Sequence, residues 1–288
     1  MKNSLIVWGL SFAITAASAY YQRVTGPTYP LSGTAMLGPV QIPYRLERSH
    51  AGNSDAPVAL IVPDTSVSGA LDWRRHNTDD SWKSVGLKRE EDSLCGALPA
   101  QPPAGKLQYR VALRRGADSL LIPAVAPAVI RFKGDVPPGV LVVHVLLMFA
   151  AMLFSTRTGL TAYWGGENLG RLSVVTTGLL IVGGLVLGPV VQRYAFGAYW
   201  TGWPFGTDLT DNKTVAALLA WTVVALVHRK VRRPTLWALG AALITLAVFM
   251  IPHSLFGSEL DYRSASGSVS LSSRMDADKC APDGGRHD

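Results

Sequence analysis

The sequence predicts an α+β membrane protein: an N-terminal helix, an extracytoplasmic β-sandwich, and then a bundle of four transmembrane helices. Three observations carry this. Residues 21–138 mix charged, turn and apolar residues, whereas 139–253 are dominated by Leu, Val, Ala and Gly. The second half holds four apolar runs separated by short connectors. The first half instead shows brief alternating runs broken by Pro, Gly and Asp, the pattern of half-buried strands.

The N-terminal segment, residues 1–20, opens on Met1-Lys-Asn and continues as an apolar stretch, Ser4–Ala19, ending in Ala17-Ser-Ala19. Two readings fit it: a secretory signal with a small-residue cleavage site, or an uncleaved anchor helix. Both place residues 21–138 outside the cytoplasm.

The sandwich follows from the strand candidates. Val58–Val62, Ser68–Arg74, Trp82–Lys88 and Ser93–Ala97 are short and separated by turn residues. Leu107–Leu113 alternates cleanly, which predicts one buried face, and Leu120–Ile122 and Ala128–Phe132 complete the series. Strands this short at this spacing argue for a sandwich. His50 and His76 read as solvated, and Glu90-Glu-Asp92 as a charged turn.

The run from Leu98 to Leu113 resembles the late-strand region of immunoglobulin- and fibronectin-III-like domains, with Tyr109 as the core tyrosine. Asp72-Trp-Arg-Arg resembles their earlier strand, with Trp73 as its core aromatic. That resemblance implies a fold and no activity. In addition, Tyr21-Gln-Arg-Val-Thr-Gly-Pro-Thr-Tyr-Pro30 with Pro204-Phe-Gly-Thr-Asp-Leu-Thr-Asp-Asn-Lys213 resembles an uncharacterised family of bacterial polytopic membrane proteins. It implies the architecture and a place in the bacterial inner (cytoplasmic) membrane.

The four spans are Gly139–Thr156, Leu172–Val191, Thr214–His228 and Thr235–His253. A hydrocarbon core takes about 20 residues of helix. Charge placement sets their direction. His228-Arg-Lys-Val-Arg-Arg233 and the connector with Arg157 and Arg171 fall inside, so the positive-inside rule holds with the sandwich and the tail, residues 254–288, outside. Much of the net charge of +7 lies in that inner cluster, which points to anionic lipid headgroups as partners and not to nucleic acid. Gly184 and Gly188 permit close helix approach within the bundle. Cys95 and Cys280 both fall outside; a disulfide between them and two unrelated thiols are both compatible with the spacing. The tail from Arg263, rich in Ser, Asp and Gly, predicts disorder unless a partner orders it.

The connector between the second and third spans is the most unusual stretch. Tyr194, Phe196, Tyr199, Trp200, Trp203 and Phe205 crowd around Gly-Trp-Pro-Phe-Gly, more aromatic surface than interfacial anchoring requires. They mark a contact surface for a ligand or partner. Asp208, Thr210, Asp211 and Asn212 follow. Capping of a helix beginning near Thr214 accounts for them, with an outer-face cation site as the competing use.

His144 and His253 lie near the outer ends of the first and last spans. Met148 and Met250 stand four and three residues away on the same helical faces. Imidazole plus thioether is a ligand set for copper or haem iron, whereas backbone hydrogen bonding and gap filling explain the same residues without a cofactor. No P-loop, Gly-x-Ser-x-Gly or His-Glu-x-x-His motif occurs. The leading expectation is therefore a non-enzymatic accessory or assembly subunit working with other membrane subunits. The alternatives are a haem- or copper-binding redox protein, and a sensor or enzyme acting on lipid or envelope polymer.

Overall fold

The computed structural model describes residues 2–165, 168–252, 255, 257 and 259–262. It divides into two compact units. One is helical, from residues 2–27 and 135–257; the other is the β unit, from residues 28–134 together with 259–262.

In the helical unit, α1 spans Lys2–Thr25, running past Tyr20, and α2 spans Pro138–Tyr163. A continuous rod, Leu169–Phe196, follows: α3 (Leu169–Leu179), a π-helical stretch (Leu180–Leu187) and α4 (Gly188–Phe196). The last two are α5 (Leu209–Val227) and α6 (Pro234–Met250). Proline in the first turn opens α2 and α6, where its missing N–H costs nothing. Gly197 closes α4 in the left-handed region, φ +83, its N–H reaching Arg193 O at 3.0 Å. Ser4–Thr25, Pro138–Tyr163 and Leu169–Phe196 are long and apolar enough to cross a membrane; Pro234–Met250 is a shorter apolar helix.

Small and hydroxylic residues hold these helices together. Ser11, Thr15 and Ser18 form one buried stripe on α1. Ser11, Thr158, Ser173 and Thr176 donate to carbonyls one turn back, which hides their polarity in an apolar setting. A Cβ at Gly159 would stand 2.5 Å from Ala242 Cβ, so glycine lets α2 and α6 approach closely. Trp221 on α5 is fully buried, and its Nε1 lies 2.8 Å from Thr245 Oγ1 on α6 and 3.2 Å from Ser155 Oγ on α2. One indole thus ties three helices.

The β unit places three sheets around one hydrophobic core. The strands are β1 (Leu31–Leu37), β2 (Val40–Leu46), β3 (Ser49–Ala51), β4 (Ala56–Ile61), β5 (Ser68–Arg75), β6 (Lys83–Gly86), β7 (Lys88–Glu90), β8 (Ser93–Leu98), β9 (Lys106–Arg115), β10 (Asp118–Ile122) and β11 (Ala128–Lys133). The largest sheet runs β3-β11-β9-β5-β6 with β10 also on β9; β4-β8-β7 and the β1-β2 hairpin are separate. Strand β9 alternates as read from the sequence, with Leu107, Tyr109, Val111 and Leu113 buried. Buried Tyr109 donates to Glu47 O at 2.7 Å, and burial pushes its phenol well above the usual range.

Several expectations need correction. Trp73 packs against the core but is only half-buried: it stands near the end of β5 opposite Lys83, whose ammonium covers its ring at 4.9 Å. The expected strand Trp82–Lys88 breaks at Leu87, where the chain changes sheet; Leu87 N–H bonds Gly69 O at 2.8 Å and its side chain joins the core. The β1-β2 hairpin adds two strands beyond those expected, with Gly38, at φ +57, and Pro39 marking its turn.

Residues 259–262, read as the start of the tail, clip onto this unit. Leu260 N–H bonds Ala104 O at 3.1 Å, and Glu259 accepts from Asn77 at 3.0 Å and Lys106 at 3.1 Å. Tyr262 OH accepts Lys106 N–H at 2.9 Å, the Arg75 guanidinium lies 5.2 Å over its ring, and burial pushes the phenol up to about 12. His76 is consequently half-buried and not solvated, and burial lowers its pKa. His50 is likewise half-buried and not solvated: its ring stands edge-on to Phe132 at 5.7 Å and its Nε2 lies 3.0 Å from Ser54 O. Cys95 is buried in β8; Cys280 and the tail from Arg263 lie outside the described residues.

Candidate functional site

The site is built where α1, α4, α5 and α6 end or begin together. Asp208 caps α5: its Oδ1 accepts Thr210 N–H at 2.8 Å. The helix therefore starts at Leu209, not near Thr214, and Asp211 and Asn212 are already in its first turn. There they are spent differently. Asp211 Oδ2 accepts the backbone N–H groups of Thr201 and Gly202, at 2.7 and 2.8 Å, and Gln192 Nε2 from α4 at 3.2 Å. Asn212 Oδ1 accepts Trp203 N–H at 2.7 Å. Thr201 closes the ring, accepting Gln192 Nε2 at 2.6 Å, with its Oγ1 3.2 Å from Asp208 Oδ2.

Two glycines make this geometry accessible. A Cβ at Gly202 would stand 2.5 Å from Asp211 Cβ and 2.8 Å from Asn212 Oδ1; one at Gly184 would stand 2.6 Å from Thr214 Cγ2. Gly184 thus serves contact between the π-helical stretch and α5. Within the loop, Trp200 Nε1 donates to Trp203 O at 3.0 Å, and Gly202 O accepts from Phe205 and Gly206 at 2.9 Å each.

The result is a fixed backbone carrying exposed aromatic side chains. Tyr199, Trp203 and Phe205 are 61%, 73% and 82% exposed, Tyr194 is exposed, and Trp200 is half-buried. Phe196 ends α4, and the Arg193 guanidinium lies 5.6 Å over the Tyr199 ring. Beneath the loop, the C-terminal end of α6 is also held. Lys213, itself buried, donates from Nζ to Ile251 O at 2.7 Å, and Gln22 of α1 donates to Phe249 O at 2.7 Å and Ile251 O at 3.2 Å. A cation and an amide satisfy carbonyls that the helix end leaves open.

Of the candidate metal ligands, His144, Met148 and Met250 are described. His144 Nδ1 bonds Gly183 O at 2.9 Å, in the π-helical stretch. Met148 covers the same glycines, with Sδ 3.2 Å from where a Cβ would stand at Gly183. Both thus act as packing and hydrogen-bonding partners of that stretch. Met250 is the half-buried last residue of α6, and His253 lies outside the described residues. Among the described residues, no group of three or more His, Cys, Asp or Glu side chains is arranged to hold a metal ion. The carboxylate and amide oxygens of Asp208, Asp211 and Asn212 accept from N–H groups instead.

Gln22, Gln192, Thr201 and Lys213 complete the site beyond the residues expected from the sequence. For the two glutamines and the lysine the signal is that an amide or ammonium inside an apolar helix must find a partner; Thr201, a loop hydroxyl, carries no such signal.

No family model matches the chain, and no curated protein does. A solved structure similar to part of it is the crystal structure of chicken CNTN1 FN1-FN3 domains, at 15% identity over 33% of this chain and 38% of that one, with a TM-score of 0.22. The likeness is slight.

Proposed function

We propose that this chain is a non-enzymatic accessory or assembly subunit of a membrane complex. The helical unit lies in the bacterial inner membrane, and the β unit, read as immunoglobulin-like, is carried at its extracytoplasmic face. The observation that supports it best is the aromatic loop. Its backbone is fixed by Asp211 and Asn212, yet Tyr199, Trp203 and Phe205 are turned outward. Exposed aromatic side chains on a fixed backbone suit interface anchors, because they bring large apolar area with few rotatable bonds to order. Arg157, Arg171 and the Arg229–Arg233 turn lie toward the other end of the helices, which favours the cytoplasm there.

A photo-crosslinking residue in place of Trp203, in cells, tests the reading. The expected product joins this chain to one discrete membrane protein, and Phe205→Ala weakens its yield. Adducts to lipid alone, with the chain purifying as a lone monomer in mild detergent, would overturn it.

A further inference from the structure

At the opposite end of the helical unit, α5 turns into α6 through residues 228–233. His228 is turned inward: its Nδ1 lies 2.9 Å from Ala225 O, and its ring fills the space beside Gly170. The four cations that follow are not. Arg229, Lys230, Arg232 and Arg233 are all exposed, and among the described residues none lies within 4.0 Å of a carboxylate oxygen. The turn therefore carries a local positive field that no acidic side chain among the described residues offsets.

Beside them lies an open cleft of about 620 Å³, lined by Val231, Arg232, Arg233, Leu236 and Trp237. Its composition is two-sided. Two guanidiniums offer the planar forks that match a phosphate. One turn further, Leu236 and Trp237 are 56% and 50% exposed, an apolar edge carrying an indole of the kind that settles at a bilayer interface. A free anion has no use for that edge.

We propose that this cleft is a headgroup site for an anionic phospholipid. Arg232 and Arg233 hold the phosphodiester, Arg229 and Lys230 add to the field, and Leu236 and Trp237 meet the start of the acyl chains. The proposal rests on the helical unit lying in a bilayer, but not on the subunit role; a chain that proves monomeric leaves it standing.

The test uses the full chain, purified in detergent, stripped of lipid and incubated with equal mole fractions of phosphatidylglycerol and phosphatidylcholine. Bound lipid is then counted by native mass spectrometry. Preferential retention of phosphatidylglycerol is expected, falling as salt rises. In Arg232→Gln/Arg233→Gln the preference should drop about tenfold, the scale of lost charge-assisted hydrogen bonds. Trp237→Leu should weaken retention of both lipids. Equal retention by the unaltered chain, or a preference that survives the double substitution, would sink the idea. So would competition by inorganic phosphate as strong as by the lipid, which would make this a free-anion site. The salt dependence needs no variant, so a misfolded double substitution leaves the proposal testable.

Discussion

The carboxylate of Asp211 and the backbone of Gly202 are in direct contact. Oδ2 accepts the Gly202 N–H at 2.8 Å, and a Cβ at Gly202 would stand 2.5 Å from Asp211 Cβ. The first turn of α5 thereby reaches back over nine residues of chain to fix the loop that precedes it. Asp211→Ala should free the Thr201 and Gly202 amides, at about 1–3 kcal/mol for each buried donor left unpaired. Amide hydrogen exchange at 201–203 should speed up, while exchange in the middle of α5 stays slow. Unchanged protection at 201–203 would mean that the loop is held by something else. Gly202→Ala should loosen the same amides by displacing Asp211 instead of removing it.

Residues 259–262 should behave as a clip on the β unit. Tyr262→Phe removes the acceptor for Lys106 N–H, so exchange at Lys106 should rise, with a cost of about 1–3 kcal/mol to that unit. The ring and the Arg75 contact above it are kept in this variant, so the change isolates the hydroxyl. A Lys106 amide as protected as before would show that the clip is not held by the phenol.

Acid should weaken the β unit through Asp64. Hydrogen bonds from the Ser66 hydroxyl and amide, and then from Arg115, hold its carboxyl at about 2, below the ordinary 3.8. A depressed carboxyl contributes stability above its unfolded pKa and loses it as pH falls through the folded value. The window here is from about 4 down to about 2. Asp64→Asn should melt below the unaltered chain at pH 7, with the difference closing across that window. A constant difference down to pH 2 would remove Asp64 from the account.

The α-helices were legible because apolar composition depends on no partner: each of the four expected runs overlaps a helix of the structure. Alternation revealed β9 for the same reason. The β1-β2 hairpin was less visible, since most of β1 faces solvent and lacks a clean period. Leu87 shows a different limit: one apolar run serves two sheets, and only their mutual placement decides where it divides. At the site, aromatic excess and an acidic helix start could both be seen. Which oxygen caps and which one staples could not, because Thr201 and Gly202 must first fold back onto α5.

The residue sequence alone shows that an alternating β region is set between an N-terminal apolar helix and a later series of apolar helices, and that the Tyr194–Phe205 connector is atypical. Those properties are local, written in composition and period. Only tertiary structure decided that His144 serves a carbonyl of the π-helical stretch, that Lys213 and Gln22 finish α6, and that Asp211 holds Gly202. A buried polar group takes whichever partner the fold brings within about 3 Å, and sequence distance does not set that.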